Sequence, residues 1–501
     1  MWRVSRRTHP AASSRTEMQT ARRAAKLVGL ITMQLGLESC TVGPDFHRPI
    51  DVSPPIWAGA ASSGVMSNGA VDPTWWDSFH DRELSSLVER LVHQNIDLQS
   101  AAERVQQADA ERQIARAQGL PNVDEQSSYK HERQSPTGFL TLIQPAPYAP
   151  LTYDVWQNGL NASWELDLFG RVRRAVEAQR ADTEAAIEAR HAVALDAIAT
   201  LALDYLQLRG TETRIAVARR NLAVADHDLK LVRDQFANGV ATTLSVAQAE
   251  AQRATIASTL PALEATEARL VNAIGLLLAE PPRALAAELE ETATALSVPP
   301  VVPVGLPSAL LRRRPDIREA EASLHAATAN TGVAVAAFYP DVSLTGQFDE
   351  NGRIVGNAFS LPSRAFTFGP SIDLPLFEGG RLVGTLRLRR SQQRQAALSY
   401  RNTVLTAWRD VDDAMTAYDH ARRTRDDVAL TVDADRKALS AATQGFQQGA
   451  VDFLNVTNAE ASLLSGEDQL ATANTNLETD LVSLYKALGG GWQIADSAQT
   501  R

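Results

Sequence analysis

The sequence predicts a mainly α-helical chain with membrane β-strands, arranged as an internal two-fold repeat with four strands per chain. Three observations carry that reading. A proline-free stretch from Arg171 to Phe236 keeps an apolar residue at every seventh position: Ile187, Ala194, Leu201, Leu208, Ile215, Leu222, Leu229 and Phe236. The same device recurs about 210 residues downstream. Ahead of each copy stand segments of about ten residues in which apolar and polar side chains alternate.

A repeat of 3.5 residues held that long defines the narrow seam of a coiled-coil-like helix, and as one helix the stretch would span roughly 100 Å. The seam ends at Gly239, and Ile256, Leu263, Leu270 and Leu277 mark a return leg. One hairpin of this kind also suits an ordinary helical bundle; its duplication does not. Phe236-Ala-Asn-Gly239, Leu244-Ser-Val246 and Ala249-Glu250 are matched by Phe446-Gln-Gln-Gly449, Leu454-Asn-Val456 and Ala459-Glu460. The preceding seam recurs as Ala397, Val404, Val411, Tyr418, Arg425, Val432, Leu439 and Phe446, with Arg425 its one break. Its return leg reads Val456, Leu463, Leu470, Leu477 and Leu484. Upstream, Ser163 to Phe169 corresponds to Ser371 to Phe377, Asp97-Leu98 to Asp316-Ile317, and Leu120 to Val123 to Tyr339 to Val342.

At the N-terminus, Arg22, Arg23 and Lys26 precede an apolar run, Leu27 to Leu37, too short to span a bilayer. This is a secretory leader with a cleavage site, and Met18 offers an alternative start to the long arginine-rich lead-in. Cys40 closes the run. It is the single cysteine, so no intramolecular disulfide is possible, and its position resembles a bacterial lipobox. Leu37 and Ser39 fit that pattern and Glu38 departs from it; the alternative is an incidental thiol. In a lipobox the cysteine is acylated, each buried methylene adding ~0.8 kcal/mol of membrane affinity. Thr41 rather than aspartate at the next position suits the outer membrane. Thr41 to Thr74, rich in Pro, Gly and Ser, reads as an extended tail that wraps a surface or hangs free. Helical patterns follow from Trp75 to His93 and Asp97 to Gly119, with Asn95 or Asp97 as caps and Trp75-Trp76 as packing residues.

The strands come next. Trp156, Asn158, Leu160, Ala162, Trp164, Leu166 and Leu168 alternate with polar or small residues, as do Phe366, Phe368, Pro370, Ile372, Leu374 and Leu376. Val342, Leu344, Gly346 and Phe348 form the partner of the latter. Asn122 to His131 is the weakest match, carrying Asp124, Glu125 and Lys130. This is the pattern of barrel strands with lipid outside and water inside, although a half-buried soluble strand alternates likewise. Loops Arg133–Asp154 and Asn351–Ala365 would face outward. Four strands cannot close a barrel, and open edges cannot sit in lipid. A dimer would give eight strands filled by side chains. A trimer would give twelve, wide enough for a lumen, with six near-equivalent helical hairpins around one axis.

Net charge is −10 with no dense basic run beyond the leader, which argues against a nucleic-acid partner. The 44% hydrophobic fraction includes no apolar run long enough for a spanning helix. The nine histidines are scattered, no metal spacing or phosphate-cradling loop occurs, and Gly489-Gly490-Gly491 reads as a helix cap. No catalysis and no cofactor are expected. Arg171, Arg173 and Arg174, with Arg381, Arg387, Arg389 and Arg390, follow the strands in both copies. They suit a headgroup-level rim, or else solvated helix surface.

Several motifs together resemble one family. Cys40 with Gly43-Pro-Asp-Phe-His-Arg-Pro49, Ser163 to Gly170, Leu311-Arg-Arg-Arg-Pro-Asp-Ile317, Leu376 to Arg381 and Tyr485 to Trp492 look like the TolC/OprM-type outer membrane factors of tripartite efflux pumps. More narrowly they resemble the NodT-like lipoproteins of RND-type systems, over nearly the whole chain from Cys40 to Trp492. The resemblance implies a trimeric twelve-stranded outer-membrane β-barrel continuous with a long periplasmic α-helical barrel. It implies a periplasmic membrane-fusion adaptor and an inner-membrane RND-type pump as partners. Residues 1–39 would be the signal peptide and 40–75 the acylated tail. Residues 76–290 would form the first repeat, with strands near 122–134 and 155–169 and helices 171–236 and 242–278. Residues 291–315 would be a Pro-rich connector. Residues 316–488 would form the second repeat, with strands near 341–350 and 365–377 and helices 381–446 and 452–488, and 489–501 the C-terminal tail.

The family also places the turns Phe236–Gln248 and Phe446–Asn458 at the periplasmic tip. Phe236, Gly239, Leu244, Phe446, Gly449 and Leu454 would meet the adaptor; Ser245, Gln248, Asp452, Asn455 and Asn458 would line the constriction, or simply form solvated helix face. Asp452 is the one carboxylate among the five, so a weakly charged gate is expected, less cation-selective than an acidic ring. The implied function is a passive exit duct for small molecules. A duct for type I protein secretion and a periplasmic coiled-coil spacer are the alternatives.

Overall fold

The computed structural model describes residues 41–49, 57, 66–67, 69–135, 152–289, 302–358 and 360–499. The leader and Cys40 lie outside the described residues, as do 136–151 of the first outward loop and 290–301 of the connector. In chain order the main elements are α1 (Arg82–Gln94), α2 (Ile96–Ala117), β1 (Asn122–Arg133), β2 (Thr152–Glu165), α3 (Arg171–Ala237) and α4 (Thr243–Leu277). They are followed by α5 (Pro315–Ala336), β3 (Asp341–Gly352), β4 (Arg364–Asp373), α6 (Arg381–Gln447) and α7 (Phe453–Ala487). The two long helices each have 67 residues and the two return helices 35, so the copies match in length as well as in motif. No helix among the described residues is long and apolar enough to cross a membrane.

By contact the chain forms two compact units that cut across the repeats. One comprises Met1–His47, Asp109–Asp182 and Leu324–Ala396; the other comprises Arg48–Ala108, Thr183–Ser323 and Ala397–Arg501. Each therefore draws on both copies.

The first unit holds an antiparallel four-stranded sheet in the order β1-β2-β3-β4. The pairing of β2 with β3, Leu160 opposite Phe348 and Trp164 opposite Leu344, joins the copies. The alternating pattern runs on to Phe169 and Phe377, yet the ladder stops at Glu165 and Asp373. In the first copy the chain turns because the Asp167 carboxylate accepts the Arg173 backbone N–H at 2.8 Å, capping α3. In the second, Pro375 has no N–H to continue a ladder.

Of the three arginines of the first copy only Arg174 is buried; Arg171 and Arg173 stay partly exposed and are tied to the strand end. Arg171 donates to Glu165 at 2.9 Å and Arg173 to Asp167 at 3.2 Å. Arg174, its side chain 5% exposed, reaches Asp45 at 2.5 Å and Glu177 at 2.8 Å. Asp45 belongs to residues 41–49 of the N-terminal segment, which are held in place. Val42 N–H donates to the Phe169 carbonyl at 3.2 Å, and Phe46 stacks on His325 at 4.4 Å. In the second copy Arg381 pairs with Glu378 while Arg387 and Arg390 are exposed.

The second unit is helical. α1 buries Leu84, Leu87, Val88 and Leu91, one face at helical spacing, and Asp81 caps it by accepting from the N–H groups of Glu83 and Leu84. Of the two caps offered for α2, Asn95 is used: its Oδ1 accepts from Leu98 N–H at 2.9 Å. Trp75 is fully buried, stacked on Tyr485 at 5.3 Å, with its indole N–H on the Gly490 carbonyl at 3.0 Å. Gly491 has φ 116, and a Cβ there would lie 2.9 Å from the Trp75 indole nitrogen, so the glycine run shapes a seat for the tryptophan as well as ending a helix. Beside it His191 stacks on Trp492 at 4.2 Å, between Glu188 at 3.1 Å and Asp496 at 3.0 Å.

α3 and α7 run antiparallel. Asp196 pairs with Lys486, Arg214 with Asp468 at 2.7 Å, and Arg220 with Glu467, which also accepts from Arg436 at 3.0 Å. Between the first two rungs Gly210 abuts Thr475 so closely that a Cβ would lie 2.0 Å from the threonine hydroxyl. Seam residues Ala194, Leu201, Leu208, Ile215 and Leu229 are buried, as are Val404, Val411, Tyr418 and Val432 of the second copy. Arg425, the break, is met by Asp426 at 3.3 Å.

Candidate functional site: the membrane sheet and the hairpin tips

The register assigns every strand residue to a face. Trp156, Leu160, Ala162 and Trp164 of β2 share one face with Val342, Leu344 and Phe348 of β3 and Phe366, Phe368 and Ile372 of β4. The other face carries Gln157, Asn161, Ser163, Thr345, Gln347, Thr367 and Ser371. Two of the three charges that weaken the β1 pattern fit this division, since Asp124 lies opposite Asn161 and Lys130 opposite Val155 on the polar side. Glu125, opposite Leu160, is an exception, and towards the loop end of the same face stand Asn158 and the ion-paired Glu350 and Arg364. The apolar face is bare: Phe368 is 79% and Phe366 73% exposed. Tyr129 and Trp156 pair across strands with rings 4.5 Å apart, and Trp164 stands further along β2, as interface aromatics flank the apolar band of a membrane barrel. Among the described residues β1 and β4 are each paired on one side only.

In the second unit the ladder brings the C-terminal end of α3 beside the N-terminal end of α7, so both hairpin turns lie at one end. The turns are built alike. Gly239 N–H donates to Phe236 at 3.0 Å and Val240 N–H to Gln235 at 2.8 Å; Gly449 donates to Phe446 at 2.9 Å and Ala450 to Gly445 at 2.8 Å. That is a Schellman end with a left-handed glycine, φ 74 and 72, in open space, so backbone conformation and not packing demands the glycine. Around them Phe236, Leu244, Val240 and Leu454 are exposed, while Phe446 is half-buried against Phe453 at 5.5 Å.

The residues expected at the constriction divide by chemistry. Thr242 caps α4 with its hydroxyl, accepting from Ser245 N–H at 3.2 Å, and the two hydroxyls lie 3.0 Å apart. Ser245 is thus engaged locally. Asp452 holds the equivalent position before α7 but makes no side-chain cap bond; Asn455 instead donates its amide to the Asp452 carbonyl at 3.4 Å. The Asp452 carboxylate is exposed and left for solvent, and Asn455 and Asn458 are exposed beside it, with Gln248 half-buried. The two copies therefore differ at one point, a satisfied cap in one and an unspent charge in the other.

A sheet with one apolar and one polar face and two unpaired edges, in a chain with paired long hairpins, defines a protomer of an outer-membrane channel. The chain belongs to the outer membrane efflux protein family, whose model matches residues 87–278 and 306–490. It is 32% identical to nodulation protein T of Rhizobium leguminosarum bv. viciae over 97% of this chain and 96% of that protein. It is 31% identical to outer membrane protein OprJ of Pseudomonas aeruginosa over 94% and 97%. Among solved structures, the outer-membrane channel OprN matches with TM-score 0.84 and 33% identity over 91% of this chain and 100% of that one. The open-state MtrE outer membrane channel of Neisseria gonorrhoeae matches with TM-score 0.78, 28% identity and coverage of 90% and 99%. The chain is an outer membrane factor, mainly α with a four-stranded membrane sheet, and serves efflux at the outer membrane.

Proposed function

We propose that three copies close a twelve-stranded barrel, edge β4 of one to edge β1 of the next, and form a passive exit duct for small molecules. The observation that carries this reading is the sheet: two faces of opposite chemistry and two open edges have no stable place in lipid until ringed. A dimer of eight strands would be plugged by its own side chains. The bare apolar tip residues Phe236, Leu244 and Leu454 are the contact offered to a periplasmic membrane-fusion adaptor, with an RND-type pump supplying substrate from the inner membrane. Acylation at Cys40 would tether the N-terminal segment that Arg174 holds through Asp45. Neither a type I secretion duct nor a periplasmic spacer draws support from relatives named for efflux. Deletion of the gene should raise susceptibility to small toxic compounds and leave the secreted-protein profile unchanged. The reverse pattern overturns the reading, as does purified protein that stays monomeric and gives no conductance in planar bilayers.

Asp452 sets the selectivity of the constriction. With one exposed carboxylate per chain amid amides, cation preference is expected to be modest and to fall to near unity in Asp452→Asn, read from reversal potentials in a salt gradient. A strong preference that survives the substitution rejects the assignment.

A further inference from the structure

The ladder between α3 and α7 changes character at its last rung. Three rungs oppose unlike charges, Asp196 to Lys486, Arg214 to Asp468 and Arg220 to Glu467. The fourth, nearest the turns, places two carboxyl groups, Asp228 and Glu460, within hydrogen-bonding reach of each other. Among the described residues neither is in an ion pair, and the Asp228 Oδ2 atom is buried without a donor. We propose that Asp228 and Glu460 form a proton-dependent latch between the two hairpins: sharing a proton, they hold α3 against α7; stripped of it, they push the hairpin ends apart. The inference rests on reading those ends as the channel's gate.

The surroundings favour the shared proton. Glu460 lines a cavity of about 190 Å³ together with Arg220 of α3, Gln252 and Ile256 of α4, Leu439 of α6 and Glu467 of α7. Glu467 is paired both with Arg220 of α3 and with Arg436 of α6, so these three charges engage one another, and α4 lines the cavity with the uncharged Gln252 and Ile256. Burial raises the Asp228 pKa, while its hydrogen bond with Glu460 and the neighbouring His227 act against that rise. Burial and the Asp228 charge push the Glu460 carboxyl up to about 8.

The sign follows. A group whose pKa is raised in the latched state binds a proton there that the separated state releases. The preference for the latched form is therefore fully present only below 4.5 and is lost as pH rises through about 8. Between that value and 4.5, the value of an unperturbed glutamate, each unit of acidification favours the latched form by up to tenfold. An outer-membrane gate so built tightens when the surroundings turn acid.

The test uses the full-length trimer in a Cys40→Ser background. Spin labels go on cysteines at the exposed positions Ala223 and Ser462, and labelled chains are diluted into unlabelled ones so that each assembly carries one pair. The distance between labels should lengthen as pH rises through the window that ends at about 8. In Glu460→Gln, which keeps a donor for Asp228 but cannot ionise, it should stay short up to pH 9.5. In Asp228→Asn the midpoint should vanish likewise, and in His227→Gln it should persist. A wild-type distance flat from pH 6 to 9.5, or a midpoint untouched in both carboxyl variants, overturns the latch. Bilayer conductance is recorded in parallel. Normal conductance with a flat distance sinks the latch alone, whereas a pH-dependent distance with no conductance at any pH sinks the duct reading instead.

Discussion

Leu160→Arg is expected to abolish outer-membrane assembly, while Asn161→Arg, one residue along the same strand, leaves assembly intact and alters conductance. Leu160 lies on the apolar face opposite Phe348, Asn161 on the polar face opposite Gln347. An arginine at mid-bilayer on the lipid side costs ~2–4 kcal/mol per chain, hence ~6–12 kcal/mol in a three-chain ring. The same side chain in the lumen stays in water. Membrane fractionation and the yield of detergent-stable trimer measure the contrast. Equal tolerance of both substitutions, or the opposite order, would place the sheet in the wrong register or outside the membrane.

Trp75→Ala should be the most damaging single change in the helical unit. The ring is 1% exposed, stacked on Tyr485 and hydrogen-bonded to Gly490. Its removal leaves a cavity costing ~3–5 kcal/mol, and strands the Gly490 carbonyl. Trp75→Phe keeps most of the stack and loses the N–H, for which ~1–2 kcal/mol is expected. Thermal unfolding followed at Tyr and Trp bands, with limited proteolysis of the C-terminal segment, separates the two. If alanine proves as mild as phenylalanine, the seat at Gly490 and Gly491 does not hold the C-terminus in place.

Much of this was legible in the sequence because periodicity is a direct image of packing. The heptad marks a seam that is buried from Ala194 to Ile215 and again at Leu229, the alternation from Trp156 to Trp164 marks a faced sheet, and the duplication doubles the signal. The strand ends were not legible, because alternation persists to Phe169 while Asp167 spends its carboxylate on the helix cap. The burial of Arg174 was not legible for a related reason. A run of three like charges gives no hint that Arg174 will be buried against Asp45, more than a hundred residues earlier in the chain. Asp452 stood out by composition alone, but its freedom from capping needed the contrast with Thr242. The pairing of Asp228 with Glu460 left no trace in either local pattern, since each occupies an ordinary polar position on its own helix.

The two unpaired edges carry a consequence for supply. A lone or doubled copy has no home in the bilayer, so insertion waits for the third, and the yield of finished ducts at low abundance scales with roughly the cube of free protomer concentration. Halving synthesis would then cut assembly by about eightfold under limiting conditions. Copy number thereby becomes a steep control over this exit.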